Sequence, residues 1–181
     1  MRTQSASNPN TLDIAAALTA ACSLALAPSA RQWIKVGADG SHYPPGDIRT
    51  DHVAAIDVAT GRMYCVTSLG KSDEAPDETM TQKQCIQRCK SLRLLGFKDW
   101  SLASRNEAAW IIDDTHRAPA VDPDIFPGIQ PNGHWTSTAL INRDGTASAS
   151  VAWYVGFLSG LVSYLHRDSN GFALAVRRSG Q

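Results

Sequence analysis

Apolar and polar positions change their rhythm along this chain, and each rhythm predicts a different kind of structure. Residues 14–27 (IAAALTAACSLALA) form an almost unbroken apolar run of small side chains and leucines. With Asn10 or Thr11 as N-cap, alanine as the strongest helix former and Pro28 past the end, the run predicts a helix that is apolar around most of its circumference. Such a helix needs a cover, so it is expected to pack on the protein's own body or on a neighbouring subunit. From residue 32 the pattern shifts to short strand-like runs: residues 32–36, then 53–58 and 62–67 around Ala59-Thr60-Gly61, a hairpin signature. Residues 43–47 (YPPGD) and 68–79 read as loops.

A helical period follows. Thr81 with Gln84 makes a capping box, and Cys85, Cys89 and Leu92 recur at i, i+4 and i+7 before Gly96 stops the pattern, which turns both cysteines inward. Ser104 with Glu107 opens a second helix through Ala108, Ile111 and Ile112. Residues 117–133 hold four prolines and two glycines and predict a long structured loop. Strands then return at 134–138, 150–157, 161–166 and 172–178, separated by Asp144-Gly145, Ser159-Gly160 and Ser169-Asn170-Gly171. Strands, two helices and an antiparallel meander predict an α+β domain, with the first and last strands as candidates to pair.

Composition narrows this picture. At 181 residues, 43% hydrophobic and 19% charged, the chain fits one globular domain at residues 31–181 preceded by an arm at 1–30. A domain of this size buries roughly two thirds of the surface its unfolded chain exposes, so a core does not require the four cysteines to be bridged or metallated. Lys+Arg and Asp+Glu both total 17, leaving no basic excess to neutralise a row of phosphates, and nucleic acid is not expected as a partner. The apolar arm is shorter than the ~20 residues that span a bilayer. Asp13 precedes it, Arg2 is its lone positive charge, and Thr19 stands where a lipoprotein signal would carry leucine before Cys22. A packed assembly helix, with Ile14, Leu18, Leu24 and Leu26 as contact residues, therefore fits better than a cleaved signal or an anchor.

Six ordered motifs carry a resemblance to a known family. Asp57-Val-Ala-Thr-Gly-Arg-Met-Tyr64 resembles a D-x-x-T-G-L-x-W strand-turn-strand opening. The helix at 81–92, followed by Gly96, Asp99-Trp100, Leu102 and Ser104-x-x-Glu107, resembles C-x-x-L-x-x-x-G-x-x-D-W-R-L-P-x-x-x-E-L. Ile125-Phe126-Pro127 and His134-Trp135-Thr136-Ser137-Thr138 resemble F-P and Y-W-S-S-T, Ala152-Trp153-Tyr154-Val155-x-Phe157-x-x-Gly160 resembles A-W-x-V-x-F-x-x-G, and Val176-Arg177 resembles a closing V-R. Together they are similar to the domain named after the C-terminal domain of the bacterial collagen-like adhesin. That family is in turn similar to C-type lectin-like folds such as the phage major tropism determinant and the formylglycine-generating enzyme. The resemblance implies a compact scaffold with a loop-rich ligand face and does not specify the ligand. The chain departs from the family pattern at Ser101 and Ala103, and at Ala175, where the family often has cysteine. The family's usual bridge from the first helix to the last strand is thus unavailable, leaving Cys65 to pair with Cys85 or Cys89, or all three reduced.

Candidate chemistry is thin. Cys65, Cys85, Cys89 and a histidine are a conceivable zinc set, yet inward cysteines on an amphipathic helix read better as small core residues. Formylglycine chemistry needs a late cysteine pair, and no cysteine follows Cys89. Asp113-Asp114, Asp122 and Asp124 read as a solvated acidic loop rather than a calcium site. His134 and Ser137 are too close on one strand to be a catalytic pair, so no catalytic residue, metal site or cofactor is expected. Trp100, Trp135 and Trp153 read as core. Aromatic rings that stack and polar groups that direct hydrogen bonds instead gather late in the chain, making Tyr154, Tyr164, His166, Arg167, Asp168 and Asn170 the expected ligand-binding set. The expected function is a noncatalytic, surface-exposed recognition or adhesion protein, virion-associated in receptor binding or decoration. Its partners would be a host-surface glycan or protein receptor, other virion or surface proteins through the arm, and further copies of itself as a homo-oligomer, a trimer by analogy with related surface domains. The alternatives are a structural tail, fibre or capsid component and an exported bacterial adhesin at the cell surface.

Overall fold

The computed structural model of the protein describes residues 31–178. The expected arm helix at 1–30, with Ile14, Leu18, Leu24 and Leu26, lies outside the described residues. Among the described residues no helix is long and apolar enough to cross a membrane.

The hairpin forms as β3 (Ala54–Asp57) and β4 (Arg62–Cys65), antiparallel, with Asp57 opposite Arg62. Its turn is held by the motif's own residues. The buried Asp57 carboxylate accepts from the Ala59 N–H at 3.1 Å and from the Thr60 hydroxyl at 2.5 Å, while Gly61 takes the left-handed φ of 64° that favours glycine. β1 (Trp33–Val36) pairs with β3 on its other edge, and β2 (His42–Tyr43) pairs with β1.

Helix α1 (Gln82–Ser91) starts where the Thr81 N–H donates to Gln84 Oε1 at 2.9 Å, and it buries Cys85 and Cys89 completely, as the period predicts. A 3-10 turn (Leu94–Gly96) and β5 (Ser101–Leu102) lead into α2 (Arg105–Trp110). There the Ser104 N–H donates to Glu107 Oε2 at 2.8 Å. β6 (Gly133–Ile141), β7 (Ala147–Gly156) and β8 (Leu161–His166) make the antiparallel meander.

The last run divides at Leu174. β9 (Phe172–Ala173) lies parallel to β6, and β10 (Ala175–Arg178) crosses to the other sheet between β4 and β5. The first and last strands therefore do not pair: β1 already covers the outer edge of β3, and the edge of β4 receives β10. The result is a six-stranded sheet, β2-β1-β3-β4-β10-β5, and a four-stranded sheet, β8-β7-β6-β9.

Two apolar clusters fill the interior. One gathers Cys85, Cys89, Met63, Cys65, Trp100, Trp135, Ala152 and Ala175 beneath α1. The other gathers Ala108 of α2 and Ile111 just past its end with Trp33, Tyr64, Phe126, Val155, Phe157 and Val176. Along β4, Met63 and Cys65 enter the first cluster while Tyr64 enters the second, so the six-stranded sheet is covered on both faces. That explains why residues 53–58 read as a near-continuous apolar run rather than an alternating one.

Candidate functional site

The end of β8 is tied to α1 through one residue. The Arg167 N–H donates to the Ser150 carbonyl at 2.8 Å, and its carbonyl accepts from the Gln82 N–H at 3.1 Å. Its guanidinium donates through Nη1 to Gln82 Oε1 and through Nη2 to the Ser148 carbonyl at 3.0 Å. Gln82 is itself buried and passes the tie onward, its Nε2 donating to the Thr136 carbonyl at 2.6 Å. The first turn of α1, the start of β7 and the end of β8 are thereby fixed relative to one another.

Between them lies a groove of about 570 Å³. It is lined by Gln82, Lys83, Ile86 and Gln87 of α1, Ala149 and Ser150 of β7, and His166, Arg167 and Asp168. Three of the six residues expected to meet ligand are thus brought together here. His166 Nδ1 and Asp168 Oδ2 are 3.5 Å apart, both largely exposed, beside the lysine of the helix. Two cationic side chains, one carboxylate, an imidazole, two amides and a hydroxyl can direct hydrogen bonds to a polar ligand beside the apolar Ile86 and Ala149, and no metal is needed for that.

The other three expected residues lie elsewhere. Tyr164, 54% exposed, sits opposite Trp153 in the β7–β8 register, the two rings 5.7 Å apart at 87°. Trp153 is not the core residue expected: it is half-buried, with the Arg105 guanidinium 4.7 Å from its ring centroid. Tyr154 points to the opposite face and packs edge-on against the buried Trp135 at 6.4 Å. Trp153 and Tyr154 are both half-buried on opposite faces of β7, so neither is the wholly inward or wholly outward residue expected, because β7 is covered on both faces and period two alone cannot choose between them. Asn170 is exposed in the turn beyond β8 and does not line the groove.

The motifs that are distant in sequence meet in space. Arg177 donates through Nε to Asp99 at 2.8 Å and stacks over Phe97 at 3.6 Å, so the closing V-R grips the D-W corner. Arg62, next to the hairpin glycine, bridges to Glu107 of α2 at 2.7 Å, and Trp100 Nε1 donates to the Leu94 carbonyl at 3.2 Å. A family model for the Lcl C-terminal domain matches residues 52–177, well over half of the chain. The chain belongs to that family. A search of curated proteins finds no match. Membership in the Lcl C-terminal domain family points to an adhesin-like surface domain, and both the groove and the β8 edge fall inside the matched stretch.

Within this Lcl C-terminal domain the sequence reading missed one polar pair. Ser68 Oγ lies 2.6 Å from His134 Nε2, accepts from the Gln130 N–H at 2.8 Å, and the His134 Nδ1 lies 3.0 Å from the Asn132 carbonyl. The carbonyl fixes Nδ1 as the protonated nitrogen, so the serine hydroxyl donates to Nε2. His134 is fully buried between Phe157 and Phe172, and this burial pushes its pKa down to about 4. The pair fastens two loops to β6. Ser137, weighed in the sequence, is not the serine that His134 meets.

Cys65, Cys85 and Cys89 are free thiols, all buried. Burial raises the Cys65 pKa to about 11 and the Cys85 pKa to about 12, and it raises that of Cys89 further with help from its two cysteine neighbours. The acidic loop uses its carboxylates locally. Asp113 accepts from the Thr115 hydroxyl at 2.6 Å, and Asp122 from the Asp124 N–H at 2.9 Å. Among the described residues no cluster of three or more histidine, cysteine or carboxylate side chains could hold a metal.

Proposed function

We propose that this protein is a noncatalytic recognition domain on a C-type lectin-like scaffold, virion-associated, that meets a host-surface glycan or protein receptor through the groove between α1 and the end of β8. The observation that carries this reading is the fixed guanidinium of Arg167, set among Lys83, His166 and Asp168 in a cleft of about 570 Å³. Groups held in place before binding lose little conformational entropy when a ligand arrives, which is what a weak, repeated contact requires. Oligomerisation would multiply such contacts by avidity. The apolar run at 14–27 is the segment proposed to attach the domain to other virion or surface proteins.

The test is host-cell and glycan-surface binding by the full chain, comparing the native protein with Lys83→Ala and Asp168→Ala. Both sites lie at the rim of the groove, so the fold is expected to survive while binding falls about tenfold. Binding that is unchanged in both variants would move the ligand away from this groove. Intact-mass measurement on protein from its native source separates the two settings: an uncleaved chain in purified virions supports the virion reading, and a chain beginning near Cys22 or Ser23 supports an exported adhesin.

A further inference from the structure

β8 is the outer strand of the four-stranded sheet. The Arg167 N–H, one residue past its end, donates to the Ser150 carbonyl, and this fixes the alternation of the antiparallel ladder. Residues 161, 163 and 165 therefore turn their backbone groups toward β7, while Val162, Tyr164 and His166 turn theirs away from it. Exposed edges in natural proteins are guarded by charge, proline or a bulge. This edge has none of them. Its sequence, LVSYLH, contains no lysine, arginine, aspartate, glutamate or proline, and its register with β7 is unbroken from Leu161 to His166. It is also flanked by apolar surface, with Leu161 55%, Tyr164 54% and Leu165 39% exposed.

We propose that β8 pairs antiparallel with the β8 of a second copy of this chain, about a two-fold axis at Tyr164, merging two four-stranded sheets into one. An axis perpendicular to the sheet keeps each face continuous, so opposed residues must share parity. Centring the pair on Tyr164 sets Val162 opposite the copy's His166 and uses every outward-facing residue of both strands. The composition of the strand is the argument for a copy as the occupant: with no lysine, arginine, aspartate or glutamate in it, no two such groups of like sign oppose, His166 faces the copy's Val162, and Arg167 falls opposite the copy's Leu161.

Both faces gain cover. On one, Tyr164 extends from its own Trp153 toward the copy's Tyr164, giving a continuous aromatic row across the axis. On the other, Leu165 stands opposite the copy's Ser163, with the copy's Leu161 on the diagonal, about 7–8 Å away and within reach. The contact is isologous, so it closes as a dimer and does not propagate into fibres. It is a contact of the backbone edge, although His166 both ends the strand and lines the groove, and it is tested by amide exchange without any ligand.

Residue-resolved amide exchange on the full chain, read against protein concentration together with sedimentation velocity, tests this. As dimer forms, the amides of Val162, Tyr164 and His166 should slow about tenfold or more, while those of Ser163 and Leu165 are protected at every concentration. Tyr164→Lys places two cations face to face at the axis and should weaken dimerisation about tenfold or more while leaving the fold intact. Tyr164→Pro removes an outward N–H without touching the ladder to β7, and should abolish the concentration-dependent protection. A monomer at all concentrations, or an oligomer in which these three amides exchange freely, overturns the proposal.

Discussion

His134 offers a quantitative test of how the late sheet is held. Its imidazole is neutral in the fold, wedged at 4.8 Å and 5.6 Å from the Phe157 and Phe172 rings and hydrogen-bonded at both nitrogens. Burial lowers its pKa from 6.5 to about 4. Between those values the unfolded chain binds a proton that the folded chain refuses, so stability rises with pH across this window and is lost as pH falls through it. The full shift corresponds to about 3 kcal/mol, of which about 2 kcal/mol is lost between pH 7 and pH 5. His52 is also buried with its pKa pushed down by desolvation, so it erodes stability in the same direction. The depressed carboxylates, Asp99 and Asp113 among them, have an ordinary value of 3.8 and begin to matter only below this range. The comparison that isolates His134 is therefore His134→Gln, which keeps a donor for the Asn132 carbonyl and an acceptor for Ser68 but does not titrate. In urea unfolding followed by tryptophan fluorescence, the native protein should lose about 2 kcal/mol more than His134→Gln between pH 7 and pH 5. Parallel losses in the two proteins would refute the assignment of His134 as a buried neutral group.

Two further outcomes follow from packing. A β-carbon on Gly70 would stand 2.1 Å from the Pro76 carbonyl oxygen and 2.4 Å from its carbon, both backbone atoms that cannot swing aside. Gly70→Ala should therefore cost about 2 kcal/mol or more in chemical denaturation, and a neutral result would mean that the loop at 68–79 does not fold back on itself. With its pKa raised to about 11, Cys65 is thiolate in only about one molecule in a thousand at pH 8. Cys65, Cys85 and Cys89 should resist iodoacetamide in the folded protein and label fully on unfolding, as peptide mass spectrometry would show; rapid native labelling would contradict their burial.

What the sequence disclosed was what short-range chemistry controls. Both capping boxes were legible because each closes within three residues, and the hairpin turn was legible because Asp57, Thr60 and Gly61 bond among themselves. The inward cysteines of α1 followed from the helical period. Contacts across the chain were not legible. Ser68 and His134 are 66 positions apart, and Gln82 and Arg167 are 85 apart, so no local pattern announces either pair. A glutamine buried on the first turn of α1 was the one available sign that a distant polar group must reach it. The choice of His166, Arg167 and Asp168 as a cluster followed from their place in a turn after an apolar strand, but the helix that faces them did not. Tyr154 was unreadable for a different reason. Period two reports a half-buried strand, and β7 is covered on both sides where Tyr154 and Val155 lie.

The same ties that hide from the sequence decide how the groove can work. Arg167 spends two guanidinium nitrogens and both backbone groups on the protein itself, so it acts mainly as a strut that fixes the charge of the cleft in space. The side chains left free to meet a ligand are the exposed ones at its rim, Lys83, His166 and Asp168. A rim of this kind, exposed at its tips and tied down at its base by Arg167 and Gln82, favours modest affinity with defined geometry. Modest affinity is useful to a surface domain only if copies act together. The β8 edge lies immediately beside the groove, since His166 ends the strand and lines the cleft. Pairing two copies at Tyr164 would accordingly set two grooves at a fixed spacing on one sheet. On this arrangement dimerisation and ligand binding are coupled through avidity rather than through any change of shape, so Tyr164→Lys should weaken binding to a multivalent surface while leaving the affinity for a single soluble ligand unchanged.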